Sequence, residues 1–279
     1  MNFGGNEVVY KYDDSEIIIV PVPYDETSTW IKGADKGPEA VLEASVNLEF
    51  YDIETNSEAH KKGIFTVGPI LEKSTPEALV NAVYDRTRLL LAEKKFPVIV
   101  GGNHTVSIGS IKAFAEHYKN LTILQLDAHS DLRQEYEGSK FNHACVMARA
   151  CELAPVVQVG IRSMSVEELP FVKRDRIFYS HELYFNKDLY ANALGKLTDN
   201  VYITIDLDVF DPSLIPSTGT PEPGGPDYSE LICFLRDVIR NKNVVGFDVV
   251  ELCPSPVNRM PDFVAAKIIY QLLSYRFSK

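Results

Sequence analysis

Asp127, His129 and Asp131 alternate two acids and an imidazole at the end of the otherwise apolar stretch LTILQLDAHSDLR, which runs from Leu121 to Arg133. A second alternating pair, Asp206 and Asp208, closes VYITIDLD from Val201, and His104 follows FPVIVGGN from Phe96. Side chains alternate across a strand, so each set shares one side if the extended conformation persists to the strand end. Four carboxylates gathered there would raise one another's pKa unless a counter-charge were present. Two divalent cations cancel their formal charge. Mostly oxygen ligands with two imidazoles suit Mn²⁺ better than a thiolate-loving ion, although Zn²⁺, Co²⁺, Fe²⁺ and Ni²⁺ accept such a set. The expectation is a centre of two Mn²⁺ per subunit on His104, Asp127, His129, Asp131, Asp206 and Asp208. Alone, a D-x-D after a strand is as often a turn or helix cap, and a D-x-H-x-D as often a surface loop. The conjunction carries the reading, because acids rarely follow buried strands unpaired.

The elements that must position these residues are legible as apolar runs. Seven read as strands: IIIVPVP from Ile17, FPVIVGG from Phe96, LTILQLDAH from Leu121, VVQVGIR from Val156, RIFYS from Arg176, VYITIDLD from Val201 and VVGFDVVELCP from Val244. Near-continuous apolarity marks strands covered on both faces. Between them, helical spacing runs from Pro76, Val106, Tyr228 and Pro261, two of these starting with Pro in the first turn. The alternation predicts an α/β fold of three layers, a mainly parallel sheet with helices on both faces. In such sheets the ligand site lies beyond the carboxyl ends of the strands, which is where every unusual polar group falls.

The 279 residues suit one large domain, 1–279, with no repeat or linker to divide it. A net charge of -11 argues against nucleic acid and anionic membranes, which require clustered Lys and Arg. Cys145, Cys151, Cys233 and Cys253 show no paired spacing and read as core thiols in a reducing compartment. With no basic-then-apolar start, a cytoplasmic location is expected. His60, His117 and His181 lack metal spacing and read as surface residues.

The ordered set GGNH (101–104), DAHSD (127–131), NHA (142–144), TIDLDVFDP (204–212), TGTPEPGG (218–225) and DVVEL (248–252) resembles the ureohydrolases, the arginase and agmatinase family. The likeness covers nearly the whole chain and includes an entrance-like loop, TSTWIKGADKGPEAV, containing Trp30. Metallophosphoesterases also combine D-x-H with G-N-H, but in the opposite order. The resemblance implies an arginase-like fold and hydrolysis of a guanidinium group to urea and an amine on two Mn²⁺ ions. Asp127 and Asp206 would bridge them; His104 and Asp131 would complete one sphere, His129 and Asp208 the other. It further implies His143 as the proton shuttle and Glu251 as the guanidinium-binding acid.

Leu132, Arg133, Ala144 and TGTPEPGG look more like agmatinases than arginases. The resemblance therefore implies agmatine hydrolysis to putrescine and urea, a polyamine-forming reaction. Alternatives are arginase, guanidino-acid hydrolase or formiminoglutamase activity, or a homologue that binds metal without catalysis. Arg133 is a poor neighbour for agmatine's ammonium unless Glu135 or Glu137 pairs with it. Family members are commonly trimers or hexamers, so a homo-oligomer is expected.

Overall fold

The structure, a computed structural model, describes residues 1–278. Among them, eight strands form one sheet: β1 (Ile17–Val22), β2 (Ile64–Thr66), β3 (Phe96–Gly101), β4 (Leu121–Leu126), β5 (Val156–Ile161), β6 (Ile177–Tyr179), β7 (Asn200–Asp206) and β8 (Asn243–Val250). The order is β2-β1-β3-β8-β7-β4-β5-β6 and every pairing is parallel. All seven expected strands form. The eighth, β2, is a three-residue edge strand too short to announce itself by periodicity.

Helices cover both faces. Apolar side chains of α1 (Gly37–Ser45), α7 (Tyr228–Asn241) and α8 (Met260–Phe277) pack with Leu124, Leu126, Ile203 and Ile205 on one side. On the other, α2 (Pro76–Ala92), α3 (Val106–His117) and α4 (Val146–Cys151) pack with Ile123, Tyr202 and Val245. The short α5 (Ser180–Phe185) and α6 (Asp188–Gly195) lie between β6 and β7 in the chain. Both faces of the central strands are therefore dry, which accounts for their continuous apolarity. No helix among the described residues is long and apolar enough to cross a membrane.

The sheet's order sets the site. β3 and β4 are consecutive in their half of the chain yet stand apart, with β8 and β7 between them. Crossovers diverge from this point to opposite sides of the sheet and leave a crevice at the carboxyl ends. His104, Glu251 and the 127–131 segment follow β3, β8 and β4, and Asp206 ends β7 with Asp208 just beyond it, the four strands being neighbours in the sheet.

Two expectations require correction. β4 stops at Leu126, and Asp208 lies in the 3-10 turn Leu207–Val209 that follows β7, so strand alternation does not align the ligands. Part of the stretch read as an entrance loop is the start of α1. The thiol reading is also incomplete, since Cys233 is exposed, and His60 is half-buried against the Phe50 ring, 5.2 Å between centroids.

The turn between β3 and α3 shows how closely the crevice is built. The Gly102 N–H donates to Val22 O at 2.8 Å, and the Gly102 carbonyl accepts from Glu251 N at 2.7 Å. A Cβ at Gly102 would penetrate the Tyr24 carbonyl. Because the obstacle is backbone, Gly102→Ala should destabilise the protein by about 1–3 kcal/mol. Urea denaturation measures this; a change inside ~0.5 kcal/mol would show that the turn yields freely.

Candidate metal centre and active-site cleft

Each ligand motif is shaped by a local turn. Asp127 Oδ1 accepts the His129 N–H at 2.6 Å, and Asp206 Oδ1 accepts the Asp208 N–H at 2.9 Å. An aspartate bonded to the amide two residues on forms an Asx turn. This is the physical content of the D-x-H and D-x-D spacing: the first acid bends the chain and thereby brings the second ligand beside it. The two turns are tied together where Ala128 N–H donates to Asp208 Oδ1 at 3.0 Å.

Six expected ligands converge into two overlapping groups. His104, Asp127 and Asp206 offer ligand atoms that lie within 4.8 Å of one another, as do Asp127, His129 and Asp208. Asp127 is common to both. Asp131 joins the first group, its Oδ2 3.0 Å from His104 Nδ1, with Asp127 and Asp206 carboxylate oxygens 3.2 and 3.4 Å from the same nitrogen. His129 Nδ1 lies 2.9 Å from Asp208 Oδ2. Asp206, expected to bridge, falls only in the first group.

The geometry fits cations rather than hydrogen bonds. Buried His104 Nδ1 makes no aligned hydrogen bond although three carboxylates surround it. Ligand atoms converging on one place are what a shared ion accommodates. The electrostatics agree. Burial and the negative charge of Asp127 push Asp131 up to about 7, and burial with the charges of Asp208 and Asp127 pushes Asp206 well above the carboxylate range. Burial lowers the affinity of His104 and His129 for a proton, yet the surrounding acids override it and hold both imidazoles well above their ordinary value. Without cations, the cluster takes protons in their place.

The remaining two expected residues face the same cleft, a cavity of ≈ 290 Å³ above the ligands. His143 opens a 3-10 turn that Asn142 caps, its side chain accepting Ala144 N–H at 3.1 Å. Its Nδ1 is buried without a partner, and burial with the nearby His104 and His129 charges lowers it to about 4, leaving it neutral at pH 7. Glu251 has one oxygen committed, Oε1 accepting His104 N–H at 2.7 Å. The other faces Gly219, where a Cβ would sit 3.7 Å from Oε2. Burial raises Glu251 to about 8, so a cation arriving at Oε2 would restore its charge.

Trp30 lines the cleft with 69% of its surface exposed, so its role is not packing. Its loop is fastened to the His104 turn by Asn103 Nδ2 donating to Thr27 Oγ1 at 2.7 Å and by the Thr27 and Thr105 hydroxyls, 2.9 Å apart. Arg133 pairs with neither Glu135 nor Glu137. Its guanidinium lies 3.3 Å from Glu167 Oε2 and 4.7 Å from the Tyr136 ring centroid.

Three supporting groups are not singled out by the sequence motifs. Arg162 donates to the carbonyls of Gly160, Asp208, Val209, Phe210 and Glu222 at 2.7 to 3.3 Å, clamping the loop after β7. Buried Glu168 accepts from Ser130 Oγ, Leu132 N and Ser165 N, fixing the segment on either side of Asp131. Gln158 donates to Gln125, which donates to Asp127 Oδ2 at 2.7 Å. Signals for two of them exist in the chain: Ser165-x-x-Glu168 is a capping box, and two glutamines inside apolar strands demand partners.

Comparisons with known proteins give a family and a fold. Residues 15–274 match the family model described as "Arginase family". An N(1)-aminopropylagmatine ureohydrolase of Synechocystis is 37% identical, the match covering 97% of this chain and 92% of that protein. An agmatinase of Pyrococcus horikoshii is 33% identical, with 93% and 92% covered. Among solved structures, an agmatine ureohydrolase of Thermoplasma volcanium superposes with a TM-score of 0.89 at 29% identity, covering 99% of this chain and 94% of that one.

The protonated cluster has a consequence for stability. Asp131 and Glu251 hold protons, up to about 7 and about 8, that the unfolded chain releases near pH 4. The folded state thus binds more protons across that window, and its stability falls as pH rises through it. The raised His104 and His129 act in the same direction. Chelator-treated protein should melt at a lower temperature at pH 8 than at pH 5, and Mn²⁺ should abolish most of the difference. Equal melting temperatures at both pH values without metal would contradict this picture.

Proposed function

This chain belongs to the arginase family, and from that premise we propose that its cleft hydrolyses an amine-tailed guanidine, agmatine to putrescine and urea in the first place, with two Mn²⁺ ions held by the six ligands. It is a ureohydrolase acting on a guanidinium substrate, with His and Asp groups placed to hold metal. A guanidinium is resonance-stabilised and neutral water attacks it poorly. When bound, a pair of divalent cations supplies the missing acidity, making water a nucleophile at neutral pH.

The chain's own residues do the rest. Glu251 Oε2 receives one edge of the planar guanidinium, where charge-assisted hydrogen bonds offset the cost of burying the acid. That contact holds the central carbon over the ligand cluster. His143, neutral before reaction, accepts a proton from the attacking water and gives it to the leaving nitrogen, which cannot depart as an amide anion. In this reading His104, Asp127, Asp131, Asp206, His129 and Asp208 would hold the metals, Asp127 being the residue common to both ligand groups.

The substrate class rests on one observation: Arg133, the sole Lys or Arg lining the cleft among the described residues, is engaged by Glu167 and the Tyr136 face. No free cation stands at the mouth to receive a carboxylate tail. A second reading, N(1)-aminopropylagmatine, is favoured by the names of relatives at 37% and 34% identity and shares the same amine chemistry. The reading extends to a cytoplasmic homo-oligomer built from a single domain, as such ureohydrolases commonly are.

With Mn²⁺ added, urea release or substrate loss should be measured for agmatine, N(1)-aminopropylagmatine, arginine, 4-guanidinobutanoate and formiminoglutamate. Turnover is expected for the first two; strong turnover confined to a carboxylate-bearing substrate overturns the proposal.

His143→Ala should bind metal normally and lose about 10²- to 10⁴-fold in kcat, and loss of metal would mean its role is misassigned. Glu251→Gln should lower kcat/KM by roughly 10²-fold or more. Asp127→Ala should abolish activity and release at least one metal, read by elemental analysis.

A further inference from the structure

Behind His104 lies a buried polar chain that the reaction does not use. His104 Nε2 is 2.9 Å from Thr204 Oγ1, and Thr204 Oγ1 donates to Asp248 Oδ1 at 2.6 Å. The other Asp248 oxygen accepts from the Tyr202 hydroxyl at 2.6 Å, which is also 2.9 Å from Ser110 Oγ. Thr204 and Asp248 are fully buried and stand directly opposite each other in the β7 and β8 register. Among the described residues no Lys or Arg pairs with Asp248, and the nearby charge is that of His104. Two short hydroxyl hydrogen bonds carry its burial.

The proton count decides the direction of the chain. A threonine hydroxyl has one proton, and here it goes to the Asp248 carboxylate. Toward His104, Thr204 Oγ1 can only accept, so Nε2 must carry a hydrogen. The neutral imidazole then has its lone pair on Nδ1, the atom that three carboxylates surround. The other tautomer would aim a lone pair at the hydroxyl oxygen and leave a buried polar atom unsatisfied.

We propose that Thr204 and Asp248 are positioning residues that hold His104 with Nε2 as donor and Nδ1 as an open ligand atom, and so set the metal affinity of the cluster. Outer partners of this kind orient a ligating imidazole and raise its basicity. The β7 and β8 register makes the device rigid: a slip of one residue would turn Thr204 to the opposite face, where Ile203 and Ile205 pack. His129 has no equivalent, its Nε2 lying 3.9 Å from Glu222, a partly exposed side chain.

This inference rests on the metal-site reading above, and its test is independent of which guanidine is hydrolysed. The chelator-treated full-length protein is titrated with Mn²⁺ by calorimetry, as wild type, Thr204→Val and Thr204→Ser. Valine keeps the shape and removes the hydroxyl, so affinity should weaken about 10- to 100-fold for at least one ion; serine should restore it. Melting of the metal-free variants separates a structural effect from positioning. Valine that lowers melting but binds Mn²⁺ like wild type overturns the proposal, as does serine that behaves like valine. Should the valine variant not fold, Asp248→Asn takes its place, with weaker binding expected and unchanged binding again overturning the idea. Wild type that binds no Mn²⁺ would instead defeat the metal-site reading itself.

Discussion

Mutual repulsion among buried carboxylates at the floor of one cleft is the constraint around which this protein is organised. Asp127, Asp131, Asp206, Asp208 and Glu251 are all buried at the carboxyl ends of three adjacent strands, β8, β7 and β4. Such a gathering is unfavourable unless protons or cations neutralise it. The sheet can hold the acids there because its own hydrogen bonds and two apolar layers, independent of the cluster, carry the fold. Binding energy from cations then enters a frame already built for them.

Holding like charges together takes scaffolding of particular kinds. Asx turns bend each ligand pair, Arg162 gathers five carbonyls of the loop after β7 and its neighbours, and Glu168 closes the segment around Asp131. Most of these partners are backbone groups. A carbonyl or amide cannot rotate away as a side chain can, so ligand positions are inherited from chain trace. Backbone strain marks the same place: Asp131 and Glu251 adopt φ of 52° and 67°, in the left-handed region. Each costs on the order of 1–3 kcal/mol for such residues, and both sit where a carboxylate must face the cleft.

The rim of the cleft is built differently from its floor. The expected ligands and Glu251 are fastened by the strands and the turns that follow them, and His143 by the 3-10 turn that Asn142 caps. Trp30, Arg133 and Tyr136 line the mouth on loops, away from the strand hydrogen bonds that fasten the ligand motifs.

The residue types and spacing of GGNH, DAHSD and TIDLD are enough to place a cluster of potential metal ligands at strand ends, because ligand chemistry is a property of side chains and acids that follow buried strands demand a counter-charge. Apolar periodicity likewise locates seven strands and the major helices. Strand ends are another matter: alternation carried through Asp131 and Asp208 suggests extended chain, whereas Asx turns do the aligning, and such turns depend on backbone hydrogen bonds that sequence spacing does not reveal. Thr204, Asp248, Gln125 and Arg162 look like isolated polar residues in apolar runs until the strand order brings their partners beside them. Arg133 has acids near it in sequence, yet its partner is Glu167, 34 residues away. Local chemistry is written along the chain; which groups meet across it depends on register and topology, and those are set only when the whole sheet packs.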